Sequence, residues 1–284
     1  MKKIIVTGAN GQLGRAVNIE YAGRADIELV NTDVAELDIT DVDAVLKFVR
    51  DVKPYAIINC AAHTNVDACE TQVDLAYRIN AIGPRNLAIA ASDSGAKLMH
   101  ISTDYVFDGN GTRPYIEFDA PGPKSVYGAT KLAGEEQVKL FADRFYIIRT
   151  AWLYGDGKNF ARTMLRLAED HEEITVVNDQ VGSPTSAKEL AKAVVSQLDT
   201  DNYGMFHGTC EGDCSWADFA TEVLRLAGSK TRIVPISSEE YGAPANRPHY
   251  SILENYMLKL TGGYMFADWH DAIEEYMKAE MADR

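Results

Sequence analysis

The 284 residues allow one large or about two ordinary domains, and a hydrophobic fraction of 46% with 25% charged residues excludes a disordered, collagen-like or disulfide-scaffold chain. Acids outnumber bases 42 to 28, and the net charge of −14 sets nucleic acid aside as a partner. The surplus is uneven: residues 1–150 carry 16 basic and 20 acidic side chains and residues 151–284 carry 12 and 22, so an anion bound by the second part needs a few placed arginines.

Lys2 and Lys3 precede a short apolar run, Ile4–Val6, that stops at Thr7 and Gly8, far short of a signal peptide's apolar region. No run approaches the roughly 20 apolar residues of a membrane span, so the cytoplasm is the expected location, with no membrane partner. After a glycine turn and a helix-like stretch comes the strand Ile27–Asn31, ending near Asp33. The alternation continues through a helix over Asp41–Val52, a strand over Ala56–Cys60, a helix around Leu75–Ser92, and strands over Lys97–Ser102 and Phe145–Thr150. Strands separated by helices predict an α/β fold, a Rossmann-type doubly wound parallel sheet with helices on both faces.

Beyond Thr150 the rhythm loosens. The pattern predicts helices over Asn159–Glu169, Ala187–Leu198, Trp216–Ala227 and Trp269–Met281, and short strands over Ile174–Val177 and Arg232–Pro235. The expected division is a dinucleotide-binding domain over residues 1–151, to which the 187–198 helix returns, and a smaller mixed α/β substrate-binding region over 152–284. Cys60, Cys69, Cys210 and Cys214 are too few and too irregularly spaced for a disulfide framework, and no second pair completes a zinc site with Cys210 and Cys214. All four are expected to be reduced.

KKIIVTGANGQLG places Gly8, Gly11 and Gly14 directly after a strand and at the start of a helix. In that context Gly8 permits the tight turn, Gly11 lets the backbone approach a pyrophosphate, and Gly14 allows close helix–strand packing, with helix N–H groups facing the phosphate charge. Asp33, nineteen residues beyond Gly14, stands where a carboxylate accepts from the adenosine ribose, which favours NADH. Arg15 offers charge to a 2′-phosphate, which leaves NADPH open. Asp38 and Ile39 lie where an adenine is clamped.

Tyr127 and Lys131 are four apart in VYGATKLAGEE and so project from one helix face. A phenol seldom exchanges protons near neutrality, and an adjacent ammonium is expected to lower its pKa into a useful range. Upstream, HISTDYVFDG puts Ser102 and Thr103 at the carboxyl tip of a strand, the edge at which open α/β sheets bind ligands. A hydroxyl there can donate to the same carbonyl oxygen as Tyr127.

These motifs resemble the extended short-chain dehydrogenase/reductases. More narrowly, NCAAHTNVDACE, STDYVFDG, VYGATKLAGE, RTAWLYG, NDQVGSPT and Arg247-Pro248 are similar to the dTDP-4-dehydrorhamnose reductase family, over Lys3 to at least Leu253. The resemblance implies reduction of dTDP-4-dehydro-L-rhamnose to dTDP-L-rhamnose by NADH or NADPH. It implies that Gly11, Gln12 and Leu13 touch the cofactor pyrophosphate, Asp33 the ribose, Asp38 and Ile39 the adenine, and Ala62, His63 and Thr64 the nicotinamide ribose side. Tyr127 would be the proton donor, Lys131 would tune it and hold the ribose, Thr103 and Asp104 would contact the sugar, and Trp152 would pack against it.

The substrate diphosphate needs a counter-charge, for which Arg247 is the candidate, with Arg162 and Arg166 as rivals on a helix face. Gln180 in NDQVGSPT is a possible substrate contact, while Ser183 or Thr185 would cap the helix that follows. Some members of the family join subunits through a divalent ion held by glutamates; Arg15 stands where an acid would be expected, so a metal-independent monomer or homodimer is predicted. The histidines show no paired ligand spacing. Two other readings remain. One is a nucleotide-sugar epimerase or dehydratase, against which Asp104-Tyr105 lacks the second acid of a dehydratase. The other is a non-catalytic NADP-binding subunit resembling the regulatory partner of methionine adenosyltransferase, which would not need Thr103, Tyr127 and Lys131.

Overall fold

The structure, a computed structural model, describes residues 1–282. Strand β1 (Lys2–Thr7) leads through the glycine turn into α1 (Gln12–Glu20), and β2 (Ile27–Thr32) is followed by α2 (Val42–Val52), started by an Asp41 cap that accepts from the Ala44 N–H at 3.0 Å. After β3 (Ala56–Asn59) come α3 (Val66–Thr71), α4 (Val73–Tyr77), one π-helical turn (Arg78–Ile82) and α5 (Gly83–Ser94). The single helix expected around Leu75–Ser92 is thus interrupted. The wide turn carries Asn80, which is buried, takes the His63 N–H at 2.8 Å and donates to His63 O and Thr130 Oγ1, each at 3.1 Å. Pro84, with no N–H to bond back into the preceding turn, sits where α5 begins.

Strand β4 (Lys97–Thr103), α6 (Val126–Phe141) and β5 (Phe145–Thr150) complete the first half. The second half runs β6 (Leu153–Tyr154), α7 (Phe160–Leu167), β7 (Glu173–Val177), β8 (Val181–Gly182), β9 (Thr185–Ser186), α8 (Ala187–Leu198), β10 (Gly204–His207), β11 (Cys214–Ser215), α9 (Trp216–Leu226), β12 (Arg232–Ile236), α10 (Ser238–Tyr241), α11 (Tyr256–Thr261) and α12 (Trp269–Ala282). The cap of α8 is Ser186, accepting from Lys188 N at 3.2 Å, not Ser183 or Thr185. Those two are occupied elsewhere: Ser183 Oγ donates to Gly212 O, and Thr185 Oγ1 donates to Ser183 O.

The main sheet is wholly parallel, in the order β10-β5-β4-β3-β1-β2. Its outermost strand, β10, comes from the second half and pairs Gly204 with Tyr146; a four-residue GMFH run has too little pattern to be read as a strand without its neighbour. Because β1 lies between β2 and β3, the chain reverses its winding there, and that reversal opens a crevice beyond the carboxyl ends of the strands.

Successive residues of each central strand go to opposite faces. Ile4, Val6, Ala56, Ile58, Met99, Tyr146 and Ile148 enter one buried cluster, and Ile5, Ile57, Leu98 and Ile147 enter the other. The second cluster is closed by Val45 and Val49 of α2, Leu87 and Ala91 of α5, and Val138 of α6. The first runs under α1 and α8 and continues without a break to Phe219 of α9 and Trp269 and Ile273 of α12.

Candidate active site

A cavity of about 820 Å³ follows the carboxyl ends of β1 to β5 and is also lined by Trp152, Leu153, residues 156–159 and Trp216. At one end Gly8 has φ +65°, and a side chain there would meet Ala61 N at 2.7 Å. A Cβ on Gly14 would stand 2.4 Å from Gly8 O, so helix and turn touch backbone to backbone. Gly11 caps α1 without a side-chain hydrogen bond, Leu13 is buried, and Gln12 Oε1 is buried with no partner. A glycine cradle at a helix N-terminus, with no room for a Cβ at Gly8 or Gly14, fits a dinucleotide's pyrophosphate.

Asp33 lines the same cavity at the end of β2, its Oδ2 taking the Asn10 N–H at 3.2 Å and so staying close to the glycine turn. Asp38 is exposed on the wall and Ile39 buried behind it against Gly83, where a Cβ would come within 2.5 Å of Ile39 Cδ1. Ala62 and Thr64 face the cavity. His63 does not; its N–H is held by Asn80 and its Nε2 lies 3.3 Å from Gln72 Oε1. Arg15 is bound to Asp156 at 2.7 Å, and Asp156 in turn to Arg162 at 3.0 Å, a strap from α1 to α7 across the cavity mouth. Arg162, tied also to Glu280 at 2.6 Å, is structural; Arg166 is exposed.

At the other end Tyr127, Lys131 and Thr103 meet. Ser125 caps α6 by accepting the Gly128 N–H at 3.1 Å, and Gly128 packs so closely that a Cβ would fall 2.1 Å from Tyr105 O. That contact seats the first turn of α6, with Tyr127, against the end of β4. The expected lowering of the Tyr127 pKa is not found. Burial and the Asp104 carboxylate push the phenol well above its usual range, and hydrogen bonding with Thr103 offsets this only in part. Lys131 lines the same cavity with its Nζ donating to Ile101 O at 2.5 Å, and burial lowers it to about 8 against the opposing charge of Glu135. Tyr127 is therefore protonated at neutral pH, the state a proton donor needs.

Asp104, 2% exposed, accepts from Thr103 Oγ1 at 2.8 Å through Oδ1 while Oδ2 has no hydrogen-bond partner; burial raises its carboxyl to about 6. Trp152 lies on the opposite wall in the left-handed region at φ +48°. Its indole is stacked on Trp216, centroids 3.6 Å apart and planes 6° apart, and a Cβ on Gly182 would lie 2.6 Å from it. Trp216, which pattern alone leaves as a helix core residue, is thus part of the cavity. Arg247 stands off the wall behind Tyr105, its guanidinium bidentate on Asp67 at 3.0 and 2.8 Å. Gln180 is also off the wall, buried and donating to Ser238 Oγ at 2.9 Å.

The model of the RmlD substrate binding domain family matches residues 1–282. A dTDP-4-dehydrorhamnose reductase of Streptomyces griseus is 41% identical over 285 residues, covering 97% of this chain and 93% of that one. The crystal structure of a dTDP-4-dehydrorhamnose reductase from Clostridium acetobutylicum ATCC 824 matches with a TM-score of 0.97 and 53% identity, over 98% of this chain and 99% of that one. Another from Bacillus anthracis str. Ames, solved in complex with NADP, matches with a TM-score of 0.96 and 44% identity, over 98% and 100%. The chain belongs to the RmlD family, that of the dTDP-4-dehydrorhamnose reductases.

Proposed function

We propose that this chain reduces dTDP-4-dehydro-L-rhamnose to dTDP-L-rhamnose with NADH or NADPH. The observation that carries this reading is the placement of the Tyr127 phenol on the cavity wall with Thr103, one helical turn from Lys131. Gly8, Gly11, Gln12, Leu13 and Gly14 would hold the dinucleotide pyrophosphate, Asp33 the adenosine ribose, Asp38 and Ile39 the adenine, and Ala62 and Thr64 the nicotinamide ribose side, with His63 behind them, its backbone N–H and C=O both held by Asn80. When bound, a reduced nicotinamide dinucleotide supplies the hydride that the C4 carbonyl carbon takes up.

Tyr127 gives its proton to the C4 oxygen, so ketone, hydride and proton make the alcohol. Thr103 swings its hydroxyl proton from Asp104 Oδ1 to the same oxygen as charge develops on it, and Lys131 offsets the phenolate left on Tyr127 until solvent returns the proton. Asp104, with its free Oδ2, accepts from a sugar hydroxyl, and Trp152 presents an indole face to the ring. Arg247 exchanges Asp67 for the substrate diphosphate, which the fork geometry of a guanidinium suits equally well. In this reading residues 1–151 bind the cofactor and 152–284 the substrate. The described residues include no helix long and apolar enough to cross a membrane, and we place the enzyme in the cytoplasm as a monomer or homodimer.

The test is loss of reduced-cofactor absorbance with dTDP-4-dehydro-L-rhamnose. The Tyr127→Phe variant should bind cofactor normally and lose a factor on the order of 10² to 10⁴ in kcat, the usual worth of a positioned acid. No turnover by the wild type with either cofactor refutes the reductase reading.

A further inference from the structure

Behind the Tyr127–Lys131 pair lies a fully buried ion pair that no step above uses. Glu135 is one turn beyond Lys131 on the inner face of α6 and has no exposed surface. Its Oε1 accepts from Ser102 Oγ at 2.6 Å and from Arg149 Nε at 2.8 Å, and its Oε2 accepts from Arg149 Nη2 at 2.7 Å. Arg149, 2% exposed, is the largest side chain so deeply buried. The one carboxylate thus joins α6 to β4 and β5.

What these partners stand next to gives the pair its meaning. Ser102 lies between Ile101, whose carbonyl takes the Lys131 ammonium, and Thr103, which faces Tyr127. Arg149 precedes Thr150 on the cavity wall. On the flank of α6, Gly134 brings the helix so near the π-helical turn that a Cβ would fall 2.2 Å from Asn80 O. A buried ion pair is weak as a source of stability, since apolar residues of similar volume often serve as well. As a ruler it is strong, because two bidentate bonds and a third hydrogen bond are satisfied together at only one helix position.

We propose that Glu135 is a positioning residue for the reduction: by holding Ser102 and Arg149 at once, it sets the height of α6 over β4 and β5, and so the placement of Tyr127 against Thr103 and of Lys131 against the Ile101 carbonyl. The proposal rests on the reading of Tyr127 and Lys131 given above. Glu135 also leaves a negative charge one turn from Lys131. The other titratable groups around that ammonium are Tyr127 one turn back on α6, whose phenol burial and the Asp104 carboxylate push up, Cys60 just past β3, whose thiol burial pushes up to about 12, and His100 of β4, which burial keeps neutral; none supplies charge near neutral pH.

Two variants separate the parts of this role. Ser102→Ala removes one hydrogen bond and keeps the ion pair; Glu135→Gln keeps the shape, removes the charge and turns one of the two accepting oxygens into a donor. Thermal unfolding and dinucleotide titration establish that each folds and binds. Ser102→Ala is expected to lose on the order of tenfold in kcat, as a sub-ångström displacement of reacting groups does, with dinucleotide affinity and the high-pH limb of activity unchanged. Folded Glu135→Gln is expected to lose kcat and also to move that limb to lower pH, because Lys131 then loses its proton more easily.

Wild-type kcat in Ser102→Ala overturns the proposal, and so does an unmoved limb in folded Glu135→Gln. If Glu135→Gln does not fold, Ser102→Ala decides alone. Tyr127→Phe measured alongside keeps the two failures apart: full turnover there refutes the acid assignment itself, whereas loss there with wild-type behaviour in both other variants refutes only the role of Glu135.

Discussion

Replacing Asp104 by Asn should stabilise the protein at neutral pH and not in acid. The carboxyl is 2% exposed, takes one hydrogen bond from Thr103, leaves Oδ2 unpaired, and rises from 3.8 to about 6 on folding because burial penalises its charge. An acid whose pKa is higher in the folded state binds its proton more tightly there, so it costs nothing below the unfolded value. Stability then falls as pH rises from about 4 to about 6 and stays lowered above that. A rise of about 2 pKa units corresponds to about 3 kcal/mol lost at pH 7.5. Asn retains the acceptor facing Thr103 and carries no charge. Denaturant unfolding of wild type and Asp104→Asn at pH 4 and pH 7.5 should show the variant ahead by up to about 3 kcal/mol at the higher pH and nearly level at the lower. An advantage equal at both values, or none at pH 7.5, would refute the account of a carboxylate held charged against its surroundings. Activity should fall in the same variant, since an amide cannot offer the sugar a carboxylate's charge.

Gly14→Ala puts a Cβ 2.4 Å from Gly8 O and 2.6 Å from Ala9 Cα, both backbone atoms. We expect a loss of about 1–3 kcal/mol in unfolding free energy and on the order of 100-fold in dinucleotide affinity by fluorescence titration; unchanged affinity would contradict the cradle. In the wild type, kcat/KM should decline as pH rises through about 8, where Lys131 loses its proton, and a profile flat to pH 10 would show that its ammonium is not needed. Gly182→Ala displaces the Trp152 indole from its place against Trp216, so substrate KM should rise several-fold while dinucleotide affinity holds; an equal change in both would count against a substrate role for Trp152.

The local parts of the site are legible in the chain. The glycine turn, Asp33, Thr103 and the Tyr127–Lys131 spacing are each set by a few consecutive residues whose geometry follows from one element. What escaped depends on partners far away in sequence. Nothing around Glu135 announces that it faces Arg149, and Trp216 looks like any apolar residue at a helix start until it stacks on Trp152, 64 positions earlier. Strand β10 exists because β5 offers it an edge. The Tyr127 pKa went the other way for a similar reason. Four-residue spacing places Lys131 on the right face, but the direction of its ammonium is decided by a carbonyl on β4.

The apolar layer that runs unbroken from Ile4 and Val6 to Phe219 and Trp269 bears on how the enzyme can move and be rebuilt. Lys97 pins the start of β4, an interior strand, to the end of α8 and the residues after it through Leu198 O at 3.1 Å and Thr200 O at 2.6 Å, so the sheet is also fastened from the far half at its amino end. A fragment ended at residue 151 would lack α8 and β10 and expose the part of that sheet face which α1 leaves uncovered. Melting should therefore be a single transition, and grafting another enzyme's substrate half onto this one would require redesigning the interior as well. The exposed Arg15–Asp156 pair lies outside that layer, and replacing either side chain would leave the packing beneath undisturbed.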